Sequence, residues 1–203
     1  MKIFLQKVEY SLLALFLAVQ TQVPFVLIQF YKGRDQSFSM GYTLLILMIY
    51  LLIIFYALRM AKKEGLLTLD FSFFNLKSVI WLVLSYLITF GVSIFAAIIM
   101  VLEGQLSGTT ANQTALQNLF QSTPVVLLIV GAVFSAPILE EIIFRGLIPQ
   151  KLFPKHELIG LIVGSILFGF FHGPTNIGSF VLYAGMGGVL ALVVHQTKRL
   201  EMG

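Results

Sequence analysis

The sequence contains no cysteine and few charged residues. The absence of cysteine among 203 residues excludes disulfide bridges and thiolate-bound metals. Only 11% of the residues are charged and 58% are hydrophobic, whereas an ordinary soluble domain carries about 25% charged residues. The composition therefore excludes a soluble domain and indicates a chain long enough for several membrane spans of about 20 residues each.

Motifs of several intramembrane enzymes are also missing from the sequence. The two aspartates, Asp35 and Asp70, both fall in predicted loops, so a catalytic pair of membrane aspartates is excluded. There is no His-Glu-x-x-His, and Ser165 lacks the Gly-x-Ser-Gly setting of a serine intramembrane protease. One possible function is a small transporter with Glu140 and His172, two ionisable residues in apolar runs, on a proton path. No internal repeat is visible in the sequence, which counts mildly against that function.

Six apolar runs predict transmembrane helices, because lipid admits only helices or closed barrels and these runs do not alternate as barrel strands do. We predict an all-α fold, a polytopic membrane helix bundle with about six transmembrane helices. It forms a single transmembrane domain over 1–203, with N-terminal spans in 1–101 and further spans in 123–197. The predicted spans are 10–31, 41–60, 78–101, 123–144, 158–172 and 177–197.

The Lys and Arg residues orient the predicted spans. The net charge of +4 comes from basic residues in short loops, a pattern of membrane topology rather than of nucleic-acid binding. With the N-terminus inside, 11 of the 13 Lys and Arg residues fall on the inner side, Arg145 among them, and only Lys32 and Arg34 fall outside. The N-terminus and the C-terminus are therefore both expected to be cytoplasmic.

Two adjacent carboxylates lie in the fourth predicted span, in the run Ala-Pro-Ile-Leu-Glu-Glu-Ile-Ile-Phe-Arg-Gly-Leu at 136–147. Glu141 and Arg145 are four residues apart and can pair on one helix face, whereas Glu140 points about 100° away. Charges in a membrane core are costly and usually mark function. Pro137 either kinks the helix so that the carboxylates face a cavity or is a tolerated, neutral kink.

His172 is the second polar group, at the end of the apolar run Phe168-Gly-Phe-Phe-His172. Glycines in the fifth and sixth spans are expected to allow close helix packing. Alone, His172 reads as an interfacial histidine, but with Glu140 and Glu141 it indicates a functional site. The predicted boundaries place Glu140 toward the inner end of its span and His172 toward the outer end, which conflicts with a shared site unless one helix is short, tilted or re-entrant.

A carboxylate and an imidazole in a membrane cavity permit two routes to an activated water. In the first, Glu140 is a general base and His172 orients the water or shares its proton. In the second, Glu140 and His172 bind a zinc ion that lowers the pKa of bound water. Two ligands are fewer than the three of a usual catalytic zinc site, so a further ligand is needed. His156 and His195 are predicted to be surface residues.

The pattern Glu140-Glu141-x-x-x-Arg145, with Phe144-Arg145-Gly146, followed by Phe168-x-x-x-His172, resembles the first two motifs of the CAAX proteases and bacteriocin-processing enzymes (the CPBP, or Abi, family). This family includes the type II CAAX prenyl endopeptidases. The resemblance covers about residues 120–200. It implies a catalytic role for Glu140, a water- or metal-associated role for His172, and an orienting pair formed by Glu141 and Arg145.

The family's third motif, a His followed four residues later by Asn on a further helix, is not found. The chain reaches Gly203 about where that helix would begin, and His195 has Arg199 four residues later. The resemblance therefore predicts either a C-terminal helix beyond Gly203 or a site with fewer polar groups.

The resemblance implies an intramembrane endopeptidase, in a bacterium a plasma-membrane protein, that cleaves near the cytoplasmic face. Its partners would be membrane lipid and a peptide or protein with an apolar or lipidated segment, such as a prenylated tail or a leader or bacteriocin peptide. The alternative is a non-catalytic member, a bacteriocin immunity protein or membrane binding protein that keeps the glutamates as a buried polar network.

Overall fold

The computed structural model describes residues 2–32, 38–68, 70, 75–105, 109–121 and 123–202. Within these ranges all regular secondary structure is helical, and the helices are joined by turns and irregular segments. The prediction of an all-α helix bundle is therefore confirmed. The helices are α1 (Lys2–Lys32), α2 (Met40–Lys63), α3 (Leu76–Leu102), α4 (Ala111–Phe120), α5 (Val125–Leu152), α6 (Glu157–Phe171) and α7 (Ile177–Thr197), followed by a 3₁₀ turn at Leu200–Met202.

Within the described residues, five helices are long and apolar enough to cross a membrane, namely α1, α2, α3, α5 and α7. The apolar helix α6 has only 15 residues, which span about 22 Å at 1.5 Å per residue. These five helices and the shorter α6 correspond to the six predicted spans.

The structure differs from the prediction in one loop and at one span end. The loop between the third and fourth spans contains α4, whose first turn is capped by the side chain of Thr110. The fourth span does not end at residue 144, because α5 continues to Leu152. Arg145 is consequently buried inside a helix, with 1% of its side chain exposed, and does not belong to the inner loop in which the charge count placed it.

One end of the bundle, which we call the basic end, joins the start of α1, the end of α2, the α5–α6 connection and the end of α7. Side-chain contacts hold these segments together: Tyr10 Oη to Glu64 Oε2 at 2.9 Å, Lys151 Nζ to Glu64 Oε2 at 3.8 Å, Lys198 Nζ to Glu157 Oε1 at 3.1 Å, and Arg199 Nη2 to Asp70 Oδ1 at 2.9 Å. The chain termini of the described range therefore lie on the same side of the bundle.

At the other end, which we call the opposite end, the carboxylate of Glu103 caps the start of α7. Its oxygens accept hydrogen bonds from the backbone N–H groups of Ile177 at 3.0 Å and Gly178 at 2.9 Å. A carboxylate at a helix N-terminus satisfies free N–H groups and complements the helix dipole. This contact joins the end of α3 to the start of α7.

Glycines let α6 pack closely on its neighbours, as the sequence predicts for Gly160, Gly164 and Gly169. A Cβ at Gly164 would collide with the carbonyl oxygen of Phe144 in α5, and one at Gly169 would lie 2.9 Å from the Cβ of Ala184 in α7. Gly188 is an exception, because a Cβ there would have nothing within 4 Å. Close packing holds α6 against α5, which carries the two glutamates, and against α7.

Candidate active site

The backbone of α5 is unusual around the two glutamates. Ile129–Ser135 and Glu141–Leu152 form wide π-helical turns, and the segment Ala136–Glu140 between them is α-helical. The N–H of Ala136 donates to the carbonyl of Gly131, five residues earlier. Pro137, which has no N–H to donate, lies in the first turn of the α-helical segment. Such π-helical insertions are frequent at functional sites.

Glu140 and His172 line the same cavity, whose volume is about 310 Å³. The cavity is bounded by α1, α2, α4, the first half of α5 and the end of α6. Its polar lining residues are Thr21, Gln22, Tyr50, Asn112, Ser135, Glu140 and His172. Several other lining residues are apolar, so the free carboxylate and the imidazole face a partly polar space inside an apolar bundle.

The expected conflict between the depths of Glu140 and His172 does not arise. Counted from the basic end, Glu140 lies 12 residues before the end of α5 and His172 lies 15 residues after the start of α6, and both residues line the same cavity. The two side chains reach a similar depth because α5 is longer than predicted and α6 is short. The predicted end of the fourth span was wrong. A short helix was one of the conditions under which the sequence interpretation allowed Glu140 and His172 to meet.

Glu141 and Arg145 form the ion pair expected from their spacing. Arg145 Nη1 lies 3.1 Å from Glu141 Oε1, with 1% and 13% of the two side chains exposed. Arg145 Nη2 donates to the carbonyl oxygen of Gly187 at 3.3 Å, and its guanidinium carbon lies 4.4 Å from the ring centroid of Phe168. The guanidinium thus ties α5 to both α6 and α7.

The imidazole of His172 is held in place by two contacts. Its Nδ1 lies 2.9 Å from the carbonyl oxygen of Phe168, one turn earlier. A carbonyl oxygen only accepts, so Nδ1 carries the proton and Nε2 is left with its lone pair. The ring also stacks on Tyr183 of α7, with centroids 4.4 Å apart and planes 16° apart.

Three further residues at this site were missed by the sequence interpretation. The hydroxyl of Tyr183 lies 2.6 Å from Thr110 Oγ1, and the Asn112 side-chain amide donates to it at 3.4 Å. Tyr183 lies in an apolar run, and Thr110 and Asn112 lie in a stretch predicted as a loop, so no local pattern marked them. Thr110 and Asn112 thus hold the start of α4 against Tyr183, the residue that stacks on His172.

The described residues do not complete a zinc site by themselves. No group of three His, Asp or Glu side chains suited to a metal ion occurs in the described part of the chain. Glu140 and the free Nε2 of His172 would supply two ligands, one fewer than a usual catalytic zinc site.

Comparisons with known proteins agree with the motifs. Residues 122–203 match the family model described as type II CAAX prenyl endopeptidase Rce1-like. The UPF0177 protein YajF of Lactococcus lactis is 28% identical over 192 residues, which cover 94% of this chain and 93% of YajF. No solved structure matches the chain.

Two longer relatives match over a smaller share of their length. The UPF0177 protein YvdC of Lactococcus lactis is 29% identical over 150 residues, which cover 73% of this chain and 55% of YvdC. A Bacillus subtilis protein named "Putative membrane peptidase YdiL" is 30% identical over 153 residues, which cover 74% of this chain and 60% of YdiL. The chain thus spans little more than half the length of these two relatives.

The matched segment 122–203 contains Glu140, Glu141, Arg145 and His172, and the resemblance of the two motifs is confirmed at the level of the family. Over residues 122–203 the chain is therefore similar to the Rce1-like type II CAAX prenyl endopeptidases, in agreement with the resemblance of its two motifs to the CPBP family.

Proposed function

We propose that the chain is an intramembrane endopeptidase in which Glu140 activates a water molecule for attack on a peptide bond. The observation that carries the proposal is that Glu140 and His172, from two different helices, line one cavity. Glu141 is already paired with Arg145, so Glu140 is the carboxylate left to act as a base. The similarity of residues 122–203 to the type II CAAX prenyl endopeptidases supports the same reaction class.

The reaction follows from the two side chains. The Glu140 carboxylate takes a proton from water while the water oxygen attacks the carbonyl carbon of the peptide bond. The protonated Glu140 then donates that proton to the leaving nitrogen as the C–N bond breaks, which gives a carboxylic acid and an amine. Nε2 of His172 accepts a hydrogen bond from the water and orients it, because Nδ1–H is fixed on Phe168.

The cavity also offers donors for the charge that develops on the carbonyl oxygen. Gln22 and Asn112 both line it. Each amide has two N–H groups, of which one donates to Thr21 Oγ1 or to the Tyr183 hydroxyl, respectively. An amide N–H aimed at a developing oxyanion stabilises the transition state more than the ground state. We propose these two amides as the oxyanion donors of the described part of the chain.

The experiment compares Glu140→Gln with the wild type in proteoliposomes. The substrates are two quenched-fluorescence peptides, one with a farnesylated C-terminal cysteine and one with an unprenylated apolar segment. Loss of a general base lowers the cleavage rate by about 10²- to 10⁴-fold. Glu9→Gln is the matched control, because Glu9 is exposed on α1 and far along the chain from the site.

Two outcomes contradict the proposal. If Glu140→Gln cleaves as fast as Glu9→Gln, Glu140 is not the base. If Glu140→Gln also retains the full biological activity of the protein in cells, the non-catalytic role as an immunity or membrane binding protein replaces the endopeptidase.

A further inference from the structure

The cavity that contains Glu140 lies in the half of the bundle away from the basic end. Its walls include Phe25 in the second half of α1, Leu119 in α4 and Leu128 in the first turns of α5. The helix α4 belongs to the connection between α3 and α5, at the opposite end of the bundle. A molecule that enters between these elements reaches Glu140 from the opposite end.

The route from the basic end to Glu140 is filled by packed side chains. Leu17 of α1 and Leu139 and Leu147 of α5 are fully buried in one apolar cluster. This cluster continues to Leu200, near the basic end. Interiors packed in this way leave few voids larger than a water molecule, so the cluster separates the cavity from the basic end.

A second cavity of about 250 Å³ opens nearer the basic end, and it reaches Glu141 rather than Glu140. It is lined by Leu67, Leu200 and Glu201 near the basic end and by Pro137, Ile138 and Glu141 in α5. Neither Glu140 nor His172 lines it. The two adjacent glutamates therefore face different cavities, and only the first cavity combines a carboxylate with the imidazole.

The basic residues show which end of the bundle is cytoplasmic. With Arg145 removed from the count because it is buried inside α5, ten of the remaining Lys and Arg residues lie at the basic end by their positions in the helices. Lys32 is the last residue of α1, at the opposite end, and Arg34 is outside the described residues. The connection 102–122 has no Lys or Arg. The excess of positive charge marks the basic end as cytoplasmic.

We propose that the cavity of Glu140 and His172 opens to the extracytoplasmic side, so that the site takes peptide segments presented from outside the cytoplasm. The proposal rests on the endopeptidase function proposed above and names its substrate class: an exported or outward-facing peptide with an apolar stretch that enters between α1, α4 and α5. It replaces the expectation of cleavage near the cytoplasmic face. Prenylated tails, which lie on the cytoplasmic side, are not substrates in cells.

The absence of cysteine allows a direct test by single-cysteine labelling of the full chain in bacterial cells. The probe is a positively charged methanethiosulfonate that does not cross the membrane. Gln117→Cys reports on the exposed face of α4, and Lys155→Cys reports on the α5–α6 connection at the basic end. Ala132→Cys and Ile138→Cys, both in α5, report on the first and the second cavity.

With intact cells we expect the reagent to label Gln117→Cys and Ala132→Cys, and to label Lys155→Cys only after the cells are permeabilised. Ile138→Cys should remain unlabelled from outside. Labelling of Lys155→Cys but not Gln117→Cys in intact cells would reverse the topology and overturn the proposal. Labelling of Gln117→Cys without Ala132→Cys would also overturn it, because the cavity would then be closed to the outside.

A second readout uses one apolar reporter peptide, fused to a single-span anchor so that it is displayed either outside or inside the membrane. The outward reporter should be cleaved and the inward reporter left intact, and cleavage of the inward reporter alone contradicts the proposal. Failure of the proposed function looks different: Glu140→Gln would cleave either reporter as the wild type does, whatever the labelling pattern. The two failures can therefore be distinguished.

Discussion

The imidazole of His172 stacks face to face on the ring of Tyr183, with centroids 4.4 Å apart and planes 16° apart. The partner ring belongs to α7, and its hydroxyl is bound by Thr110, which precedes α4. The orientation of a single imidazole at the end of α6 therefore depends on two other segments. Tyr183 is a positioning residue, because it acts on His172 rather than on a substrate.

Replacing Tyr183 separates the stack from the hydrogen bond. Tyr183→Phe keeps the stacked ring and loses a hydrogen bond of about 1 kcal/mol, so we expect kcat to fall several-fold. Tyr183→Leu also loses an aromatic contact of about 0.5–1.5 kcal/mol and should lower kcat further. Steady-state cleavage kinetics should show KM unchanged in both variants. Equal kcat values in the wild type and Tyr183→Leu would show that His172 needs no support from this ring.

The buried pair of Glu141 and Arg145 should be needed for stability. Removing one partner of a buried ion pair leaves an uncompensated charge and costs about 3–5 kcal/mol. We expect Arg145→Met to lower the thermal unfolding midpoint in detergent strongly, and Glu141→Gln/Arg145→Met to recover part of the loss because the stranded charge is gone. Additive losses in the double variant would show that the two side chains do not act as a pair.

Gly164 and Gly188 form a matched pair of helix glycines. A Cβ at Gly164 would collide with the backbone carbonyl of Phe144, which cannot move away as a flexible side chain would. We expect Gly164→Ala to destabilise the protein by about 1–3 kcal/mol through overpacking. Gly188→Ala has open space and should be neutral or gain up to about 1 kcal/mol of helix propensity. Denaturation in detergent compares them, and equal stabilities would contradict the close approach of α5 and α6.

The donor set of the described residues predicts the response to metal chelation. Glu140 and His172 supply only two ligands, so we expect cleavage to continue after treatment with EDTA and 1,10-phenanthroline. The control is inhibition of a known zinc protease in the same liposomes. Loss of activity that added zinc restores would contradict the expectation and would require a third ligand from outside the described residues.

The motif residues were accessible from sequence because charge is rare in this chain. Glu140, Glu141 and Arg145 stand out in an apolar run, and the spacing of Glu141 and Arg145 alone gives their ion pair. Helix ends were less predictable: the predicted span stops at 144, just before the charge of Arg145, whereas the π-helical turns of α5 continue through Pro149 to Leu152. That error placed Arg145 in a loop and separated Glu140 from His172 in depth.

The remaining part of the site depends on contacts between segments distant in sequence. Tyr183 and Thr110 are 73 positions apart. They meet because α7 packs along α3, and Thr110 lies in the connection that follows α3. Neither residue is charged, so neither violates the apolar pattern of a membrane chain. Long-range pairs of this kind follow from helix packing and not from local spacing.

The wide turn at Ile129–Ser135 has a consequence for insertions and deletions. A π-helical turn accommodates one more residue than an α-helical turn, and one residue of an α-helix corresponds to a rotation of about 100°. Deleting Val133, which is exposed, would let this stretch relax to an α-helix and would leave Glu140 close to its present rotation relative to Leu127 and Leu128, because the wide turn takes up the extra residue. Deleting Ile138 from the α-helical segment Ala136–Glu140 would instead rotate Glu140 by about 100°. The same one-residue deletion is thus tolerated in the wide turn and redirects the carboxylate in the segment that follows it.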